Sequence, residues 1–382
     1  MFNYLIVGAG IAGCVMAERV ANILNKKVLI IEKRNHLGGN CYDYTDENGI
    51  IIHKYGPHIF HTDYKEVFYY LSNFTDMDIY HHKVLAFVDG KKIPIPFNFN
   101  TLYKVFPEIL ARRIEDKLLD NYEYGARIPI LELKKTEDND LRFLANFIYE
   151  KIFMNYTLKQ WGMKPEEIDP EVTARVPIIL SKDNRYFYDK YQGVPKFGYT
   201  QMFERMIEHQ NIKILFNTHF KEVLKIDVQN KRVYFYDQEF KGKVIFTGMI
   251  DELFDYNFGD LPYRSLKLGL ETIEKEYFQK VAVINYPNDY DFTRITEFKH
   301  IHPTESKITT ILKEYPQKYK VGDNIPYYPI FTKDNRNKYD KYKDIADSFD
   351  NLTLLGRLAE YKYYDMDDII KRALDIFEMR IK

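Results

Sequence analysis

Cysteine is nearly missing from this chain. Cys14 and Cys41 are the only two in 382 residues, too few for a disulfide framework or for the repeated Cys spacing of a metal site. A reducing cytoplasmic setting therefore fits best, and no metal is expected. Long apolar runs are missing too. None approaches the roughly 18–20 residues that a membrane span needs, so no membrane insertion is expected. The chain opens on an apolar strand that runs straight into a glycine loop, without a basic leader and cleavage site, so no signal peptide is expected either. No charge sign dominates. A formal net charge of −1 and the lack of a long basic block argue against a general nucleic-acid binder, while local basic residues can still grip a small phosphorylated ligand. Tryptophan occurs once, as Trp161. There is no internal repeat and no low-complexity linker.

The chain is rich in tyrosine and phenylalanine, 33 and 27 residues, within a hydrophobic content of 45%. That is enough for large cores, and the length suggests two or three packed units. Tyrosine also serves wet, amphipathic sites, because its ring is apolar and its tip is polar.

The most informative run is Tyr4-Leu5-Ile6-Val7-Gly8-Ala9-Gly10-Ile11-Ala12-Gly13. An apolar strand enters Gly-x-Gly-x-x-Gly, a helix is expected over 11–24, and a second apolar run at 27–31 ends on Glu32, nineteen residues after Gly13. This is the layout of a dinucleotide-binding βαβ unit. Gly8 permits the tight turn, Gly10 lets a pyrophosphate approach the backbone, and Gly13 lets helix and strand pack closely. The helix N-terminus offers N–H groups to phosphate, and Glu32 would accept hydrogen bonds from ribose hydroxyls. The alternative is a tight turn in an ordinary α/β sheet. The pair Gly38-Gly39 after the second strand resembles the flavoprotein version of this fold, or else marks a plain surface turn.

Further along, Lys91 to Phe97 carries Pro94 and Pro96 and reads as an edge strand or an extended crossing. From about 101 to 170 the apolar spacing is mostly helical (Leu102, Val105, Phe106; Leu141, Leu144, Phe147, Ile148, Ile152), with 134–140 an exposed connection. Residues 212–248 alternate and close on the run Lys243 to Gly248, which resembles another strand of the cofactor sheet. Residues 281–331 look strand-rich. Leu352 to Leu355 reads as a buried strand, followed by a helix from about 365 to 380.

Several segments together resemble the UDP-galactopyranose mutase family of bacteria over essentially the whole chain. They are Ile31-Glu32-Lys33-Arg34 leading to Gly38-Gly39-Asn40, His53-Lys54-Tyr55-Gly56-Pro57-His58-Ile59-Phe60-His61, Lys159-Gln160-Trp161, and Gly356-Arg357-Leu358-Ala359-Glu360-Tyr361-Lys362-Tyr363-Tyr364-Asp365-Met366. Residues 107–145 are the least recognisable part. The resemblance implies non-covalently bound FAD, active only when reduced. It also implies interconversion of UDP-galactopyranose and UDP-galactofuranose through a covalent adduct of flavin N(5) with the sugar, for surface glycans, by a homodimer joined through its helical domain.

Carried over residue by residue, the resemblance assigns roles. Arg175 and Arg294 match two arginines that grip the UDP diphosphate, a task suited to a planar fork of donors; either alone could equally be a surface ion-pair partner. Tyr156, with Phe153 nearby, matches a residue stacked on uracil, and Tyr186, Tyr328 and Tyr363 match tyrosines bonded to the diphosphate. Core packing is the alternative for each. Trp161 opens a segment matching a mobile substrate lid, about 161–182, or is a core tryptophan. His58 matches a histidine against the flavin ring that helps stabilise the reduced form or shuttles a proton, or is structural; His61 has no assigned role. Arg357 matches an arginine beside the flavin. Asp365 matches an acid near the cleft or caps the helix that Met366 opens. Gly8, Gly10, Gly13, Glu32, Lys33, Gly39, Asn40, His58, Ile59, Arg357, Asp365 and Met366 form the implied cofactor set.

The expected fold is mixed α/β. A discontinuous Rossmann-like FAD-binding domain (1–80, 197–260, 340–382) joins a helical domain (101–180) and an antiparallel β-sheet domain (81–100, 181–196, 261–339) that walls the substrate cleft. The rival readings are an amine-oxidase-like FAD oxidoreductase, a mutase for a different nucleotide sugar, and a silent nucleotide-sugar-binding protein. The physiological reductant is not legible.

Overall fold

Five short, strongly apolar segments suit a sheet covered on both faces, because such strands need no polar side. In the computed structural model, which describes residues 2–163 and 177–382, they form one parallel sheet. Its order is Ile212–Leu215, Val28–Ile31, Tyr4–Val7, Lys243–Phe246 and Leu352–Leu354. The two-residue strand period sends Ile6, Val28, Ile30 and Ile245 to one face, against helices Ile11–Leu24, Tyr199–Ile207 and Met366–Ile376. It sends Leu5, Val7, Leu29, Ile31 and Phe246 to the other, against Phe220, Leu253, Tyr342 and Phe349. Each such side chain, when fully buried, contributes about 1.5–3 kcal/mol, so these two cores fix which strand ends meet at the glycine loop.

A second, seven-stranded sheet runs in the order Tyr328–Pro329, Tyr263–Ile273, Thr309–Lys318, Arg294–Glu297, Val283–Asn285, Val84–Val88, Lys91–Ile95. It is antiparallel except where Val283–Asn285 lies parallel to Val84–Val88. The proline-bearing strand Lys91–Ile95 sits at its edge, where Pro94 need not donate to a further neighbour. Helices Phe99–Val105, Glu108–Asn121 and Asn139–Ile148, the π-helical turn Tyr149–Met154 and helix Asn155–Trp161 pack a third core against this sheet.

The fold class is therefore mixed α/β, with several antiparallel sheets beside a Rossmann-like parallel one. One segment differs from the sequence reading. Tyr191–Pro195, expected with the cleft-walling sheet, instead lies between Phe60–Thr62 and Met77–Ile79 in a separate three-stranded sheet. Gly193 permits this: a Cβ there would stand 2.6 Å from the Asp78 carbonyl oxygen.

Candidate active site

The glycine loop leaves strand Tyr4–Val7 and turns into helix Ile11–Leu24, which has neither a side-chain cap nor an acid in its first turn. Two close approaches shape the cleft above it. A Cβ on Gly13 would lie 2.0 Å from the Gly8 carbonyl oxygen, so only glycine lets the helix pack down on the turn. Gly39, at φ +56°, comes so near Gly10 that a Cβ would sit 2.9 Å from the Gly10 Cα. The Gly38 N–H also donates to the Ala9 carbonyl at 2.9 Å. The two glycine segments thus form one backbone cradle with no side chains in the way.

Glu32 anchors that cradle. Its buried carboxylate accepts the Ala9 N–H and the Arg34 N–H, both at 2.8 Å, and it still lines the cleft with lone pairs to spare. Lys33, Asn40, His58, Arg357, Asp365 and Met366 line the same cleft. Asp365 also caps helix Met366–Ile376 in a reciprocal capping box with Asp368, so the two readings of this acid coincide. Two residues fall elsewhere. Gly13 acts through packing rather than by facing the cleft. The Ile59 side chain is buried in the core shared by the seven-stranded sheet and the helices, and so does not line the cleft.

Arg357 reaches across the cleft mouth. Its guanidinium donates to the carbonyls of Tyr364 (2.6 Å) and Tyr327 (3.3 Å) and lies over the rings of Tyr363 (4.8 Å) and Tyr328 (5.4 Å). It has no carboxylate partner among the described residues. Tyr328 and Tyr363 stack with centroids 6.0 Å apart, and Trp161 approaches Tyr328 at 5.8 Å. Beyond them an apolar cavity is lined by Phe153, Tyr156, Trp161 and Tyr186.

Arg294 stands at the junction. It lies directly opposite Glu314 on the neighbouring strand, and its Nε donates to Glu314 Oε1 at 2.6 Å. The terminal nitrogens of the fork have no hydrogen-bond partner among the described residues. Burial alone would lower the Arg294 pKa, but the charge and hydrogen bond of Glu314 outweigh it and hold the guanidinium protonated. The phenols of Tyr156, Tyr186 and Tyr328 are half-buried within reach of this charge; desolvation raises their pKa values although Arg294 opposes it. All three phenols therefore stay neutral donors. Arg175 and most of the expected lid lie outside the described residues.

His58 is neutral at pH 7. Burial, then the nearby Arg357, pushes its pKa down to about 4, and Arg294 adds to this. Its Nδ1 lies 2.9 Å from the Gly56 carbonyl, which places the proton there and leaves Nε2 as an acceptor. His61 is the opposite case. It stacks on Phe187 at 3.6 Å and pairs with Asp189 at 3.2 Å; burial works against its charge, but the Asp189 hydrogen bond outweighs this and raises its pKa.

Sequence reasoning missed three side chains that shape the site. Glu314 orients Arg294. Arg264, itself buried, donates to the carbonyls of Lys159 (3.0 Å) and Gln160 (2.9 Å) and so closes the helix that ends on Trp161. His82 packs against Tyr186, with its pKa lowered to about 3 by burial and by Arg294. None of the three carries a local motif, since each acts through a contact that only the tertiary fold creates.

Residues 151–363 match the family model for UDP-galactopyranose mutase. The chain belongs to the UDP-galactopyranose mutase family. Residues 6–74 also match an NAD(P)-binding Rossmann-like domain. Among curated relatives, a probable UDP-galactopyranose mutase of Klebsiella pneumoniae is 36% identical, over 97% of this chain and 93% of the relative. A UDP-galactopyranose mutase of Mycoplasma genitalium is 37% identical over 97% of this chain and 92% of its own. A dTDP-fucopyranose mutase of Escherichia coli is 35% identical over 100% of this chain and 99% of its own. Among solved structures, a reduced UDP-galactopyranose mutase superposes with a TM-score of 0.73 at 15% identity, covering 100% of this chain and 94% of that one. A putrescine oxidase superposes at 0.58 with 12% identity and 99% coverage of each chain, a likeness of fold alone. Family members named as mutases are isomerases. Among the described residues no helix is long and apolar enough to cross a membrane, and no cluster of metal-ligating side chains occurs.

Proposed function

We propose that this chain is a flavin-dependent nucleotide-sugar mutase that interconverts UDP-galactopyranose and UDP-galactofuranose, with non-covalent FAD in the glycine-lined cleft. The reading rests chiefly on Arg294. Its fork is steered by Glu314 and ringed by Tyr156, Tyr186 and Tyr328, a set suited to a diphosphate rather than to an amine. An amine-oxidase-like reading leaves this constellation without a task.

Reduced FAD, when bound, supplies the nucleophile that displaces the nucleotide from the anomeric carbon. The residues of this chain do the rest. Arg294, with Arg175 as its counterpart, holds the diphosphate and stabilises the charge that gathers on it as the glycosidic bond breaks. Tyr186, Tyr328 and Tyr363 donate to the same oxygens, and the Phe153–Tyr156 wall carries the base. His58 offers a neutral acceptor at Nε2 on the cofactor side. Arg357, without a carboxylate partner among the described residues, supplies positive charge that favours an anionic reduced cofactor. Trp161 and the segment after it exclude water from an opened sugar. A cytoplasmic homodimer joined through the helical region is part of this reading; Ile109 and Phe143 there are 84% and 49% exposed.

The test is product analysis with dithionite-reduced enzyme and a panel of UDP- and dTDP-sugars. Pyranose–furanose exchange without stoichiometric consumption of reductant is the expected result. Turnover by oxidised enzyme with peroxide release would overturn it. The full-length similarity to a dTDP-fucopyranose mutase favours a second reading, a dTDP-sugar substrate, which the same panel decides.

A further inference from the structure

Behind the cofactor cleft lies a chain of buried imidazoles that the proposed reaction does not use. His53 ends the short strand Ile51–His53 and is wholly buried. Its ring packs against Phe298 (5.7 Å) and the edge of Tyr199 (5.7 Å) and lies 5.3 Å from the ring of His302, which is itself buried. Two hydrogen bonds define its state. The backbone N–H of His58 points to His53 Nδ1 at 3.0 Å, so Nδ1 accepts and carries no proton. The proton therefore sits on His53 Nε2, which lies 3.2 Å from His302 Nε2 and donates to it. His302 is in turn limited to the form protonated on Nδ1. The tautomers of both rings follow from one backbone N–H.

That N–H belongs to the residue whose ring faces the cofactor. Among the described residues three hydrogen bonds hold the turn from Gly56 to His58: the Gly56 N–H donates to the His53 carbonyl at 3.3 Å, the His58 Nδ1–H donates to the Gly56 carbonyl, and the His58 N–H donates to His53 Nδ1. The bond to the Gly56 carbonyl is internal to the turn and travels with it. Of the two that reach His53, the bond to Nδ1 is the one made by a side chain, and it ties the cofactor-facing end of the turn to a ring held between Phe298 and His302.

We propose that His53 is a positioning residue for the cofactor-facing turn. Through its Nδ1 lone pair it fixes where the His58 Nε2 acceptor stands relative to the flavin, and His302 acts on the turn by keeping His53 in the accepting tautomer. The inference rests on the placing of FAD in the cleft, but not on which sugar is the substrate.

The experiment compares His53→Asn, His53→Gln and His302→Leu with the parent, all as FAD-loaded full-length enzyme. Asparagine keeps an acceptor near the Nδ1 position, whereas glutamine carries its amide out to the Nε2 position and leaves the His58 N–H unmet. The readouts are the two-electron reduction potential of the flavin, the visible spectrum of the oxidised flavin, and the separate values of kcat and KM. His53→Gln should shift the oxidised/reduced equilibrium at least tenfold, about 30 mV for a two-electron couple. It should also perturb the spectrum and lower kcat with KM little changed. His53→Asn should restore all three toward the parent, and His302→Leu should fall between them. Parental potential and spectrum in His53→Gln, or an equal shift in Gln and Asn, would overturn the proposal, since packing alone would not distinguish the two amides. If His53→Gln fails to fold, His302→Leu decides: a parental potential there refutes the relay. Failure of the parent itself to retain FAD would instead refute the cofactor assignment.

Discussion

Replacing Glu314 with glutamine should weaken the protein and tighten its hold on nucleotide at the same time. Glu314 is fully buried, one oxygen lies 2.6 Å from Arg294 Nε, and the other has no hydrogen-bond partner among the described residues. The amide keeps the volume and one acceptor but removes the charge that neutralises the half-buried guanidinium of Arg294. Breaking a buried pair outright costs about 3–5 kcal/mol, so the isosteric change belongs near the lower end, about 3 kcal/mol without ligand. The sign reverses once a diphosphate is present. Its negative charge replaces that of Glu314, and the repulsion between the two is gone. At an effective dielectric near 20 such a repulsion is on the order of 1–2 kcal/mol, roughly tenfold in affinity. Denaturant unfolding with and without UDP, together with calorimetric titration of UDP, measures both halves. A folded Glu314→Gln protein that binds UDP no better than the parent would refute the view that Glu314 and the diphosphate compete for one arginine.

Other expectations follow from the same geometry. Arg294→Ala and Arg175→Ala should each raise the activation barrier by about 2–5 kcal/mol, measured as kcat/KM of reduced enzyme; near-parental turnover in both would remove their diphosphate role. Gly13→Ala should abolish FAD retention and destabilise the fold by at least about 1–3 kcal/mol, because the added carbon would sit 2.0 Å from the Gly8 oxygen; a spectrum of bound FAD in that variant contradicts this. Acid should unfold the protein early. His58 and His302 are held near 4 by burial, below the ordinary ~6.5. The unfolded chain therefore takes up protons first as pH falls, and stability present above about pH 6.5 is lost toward pH 4, by about 3 kcal/mol per histidine. A flat stability profile between pH 7 and 4.5 would contradict it. Ile109→Glu should shift a dimer toward monomer in analytical ultracentrifugation while leaving the flavin spectrum unchanged.

The βαβ unit was legible because three independent patterns coincide there: a strand period, three glycines and an acid at a fixed distance. Strands Ile212–Leu215 and Leu352–Leu354 could also be read as apolar runs, but nothing local says that they join the same sheet on opposite flanks. The site divides in the same way. Arg294 and the tyrosines stood out through their neighbours in the chain, whereas Glu314 and Arg264 act through contacts across strands and carbonyls that leave no motif. Ile59 illustrates the limit: beside His58 in sequence, it turns into the core because adjacent residues of an extended segment face opposite ways. His61 shows the reverse case, since its partner Asp189 is brought near by the pairing of Tyr191–Pro195 with Phe60–Thr62.

The parallel sheet also sets the order in which the protein can be made. Its central strand, Tyr4–Val7, is translated well before the strands that close one of its flanks, Lys243–Phe246 and then Leu352–Leu354. The glycine loop thus waits, translated but unsupported, until those strands are made, and its cradle is complete only when helix Met366–Ile376 has arrived to cover it. A chain shortened by its last forty residues would lack both the closing strand and the residues from Gly356 to Met366, and would emerge as an aggregation-prone fragment with an open sheet edge rather than as a weakened enzyme.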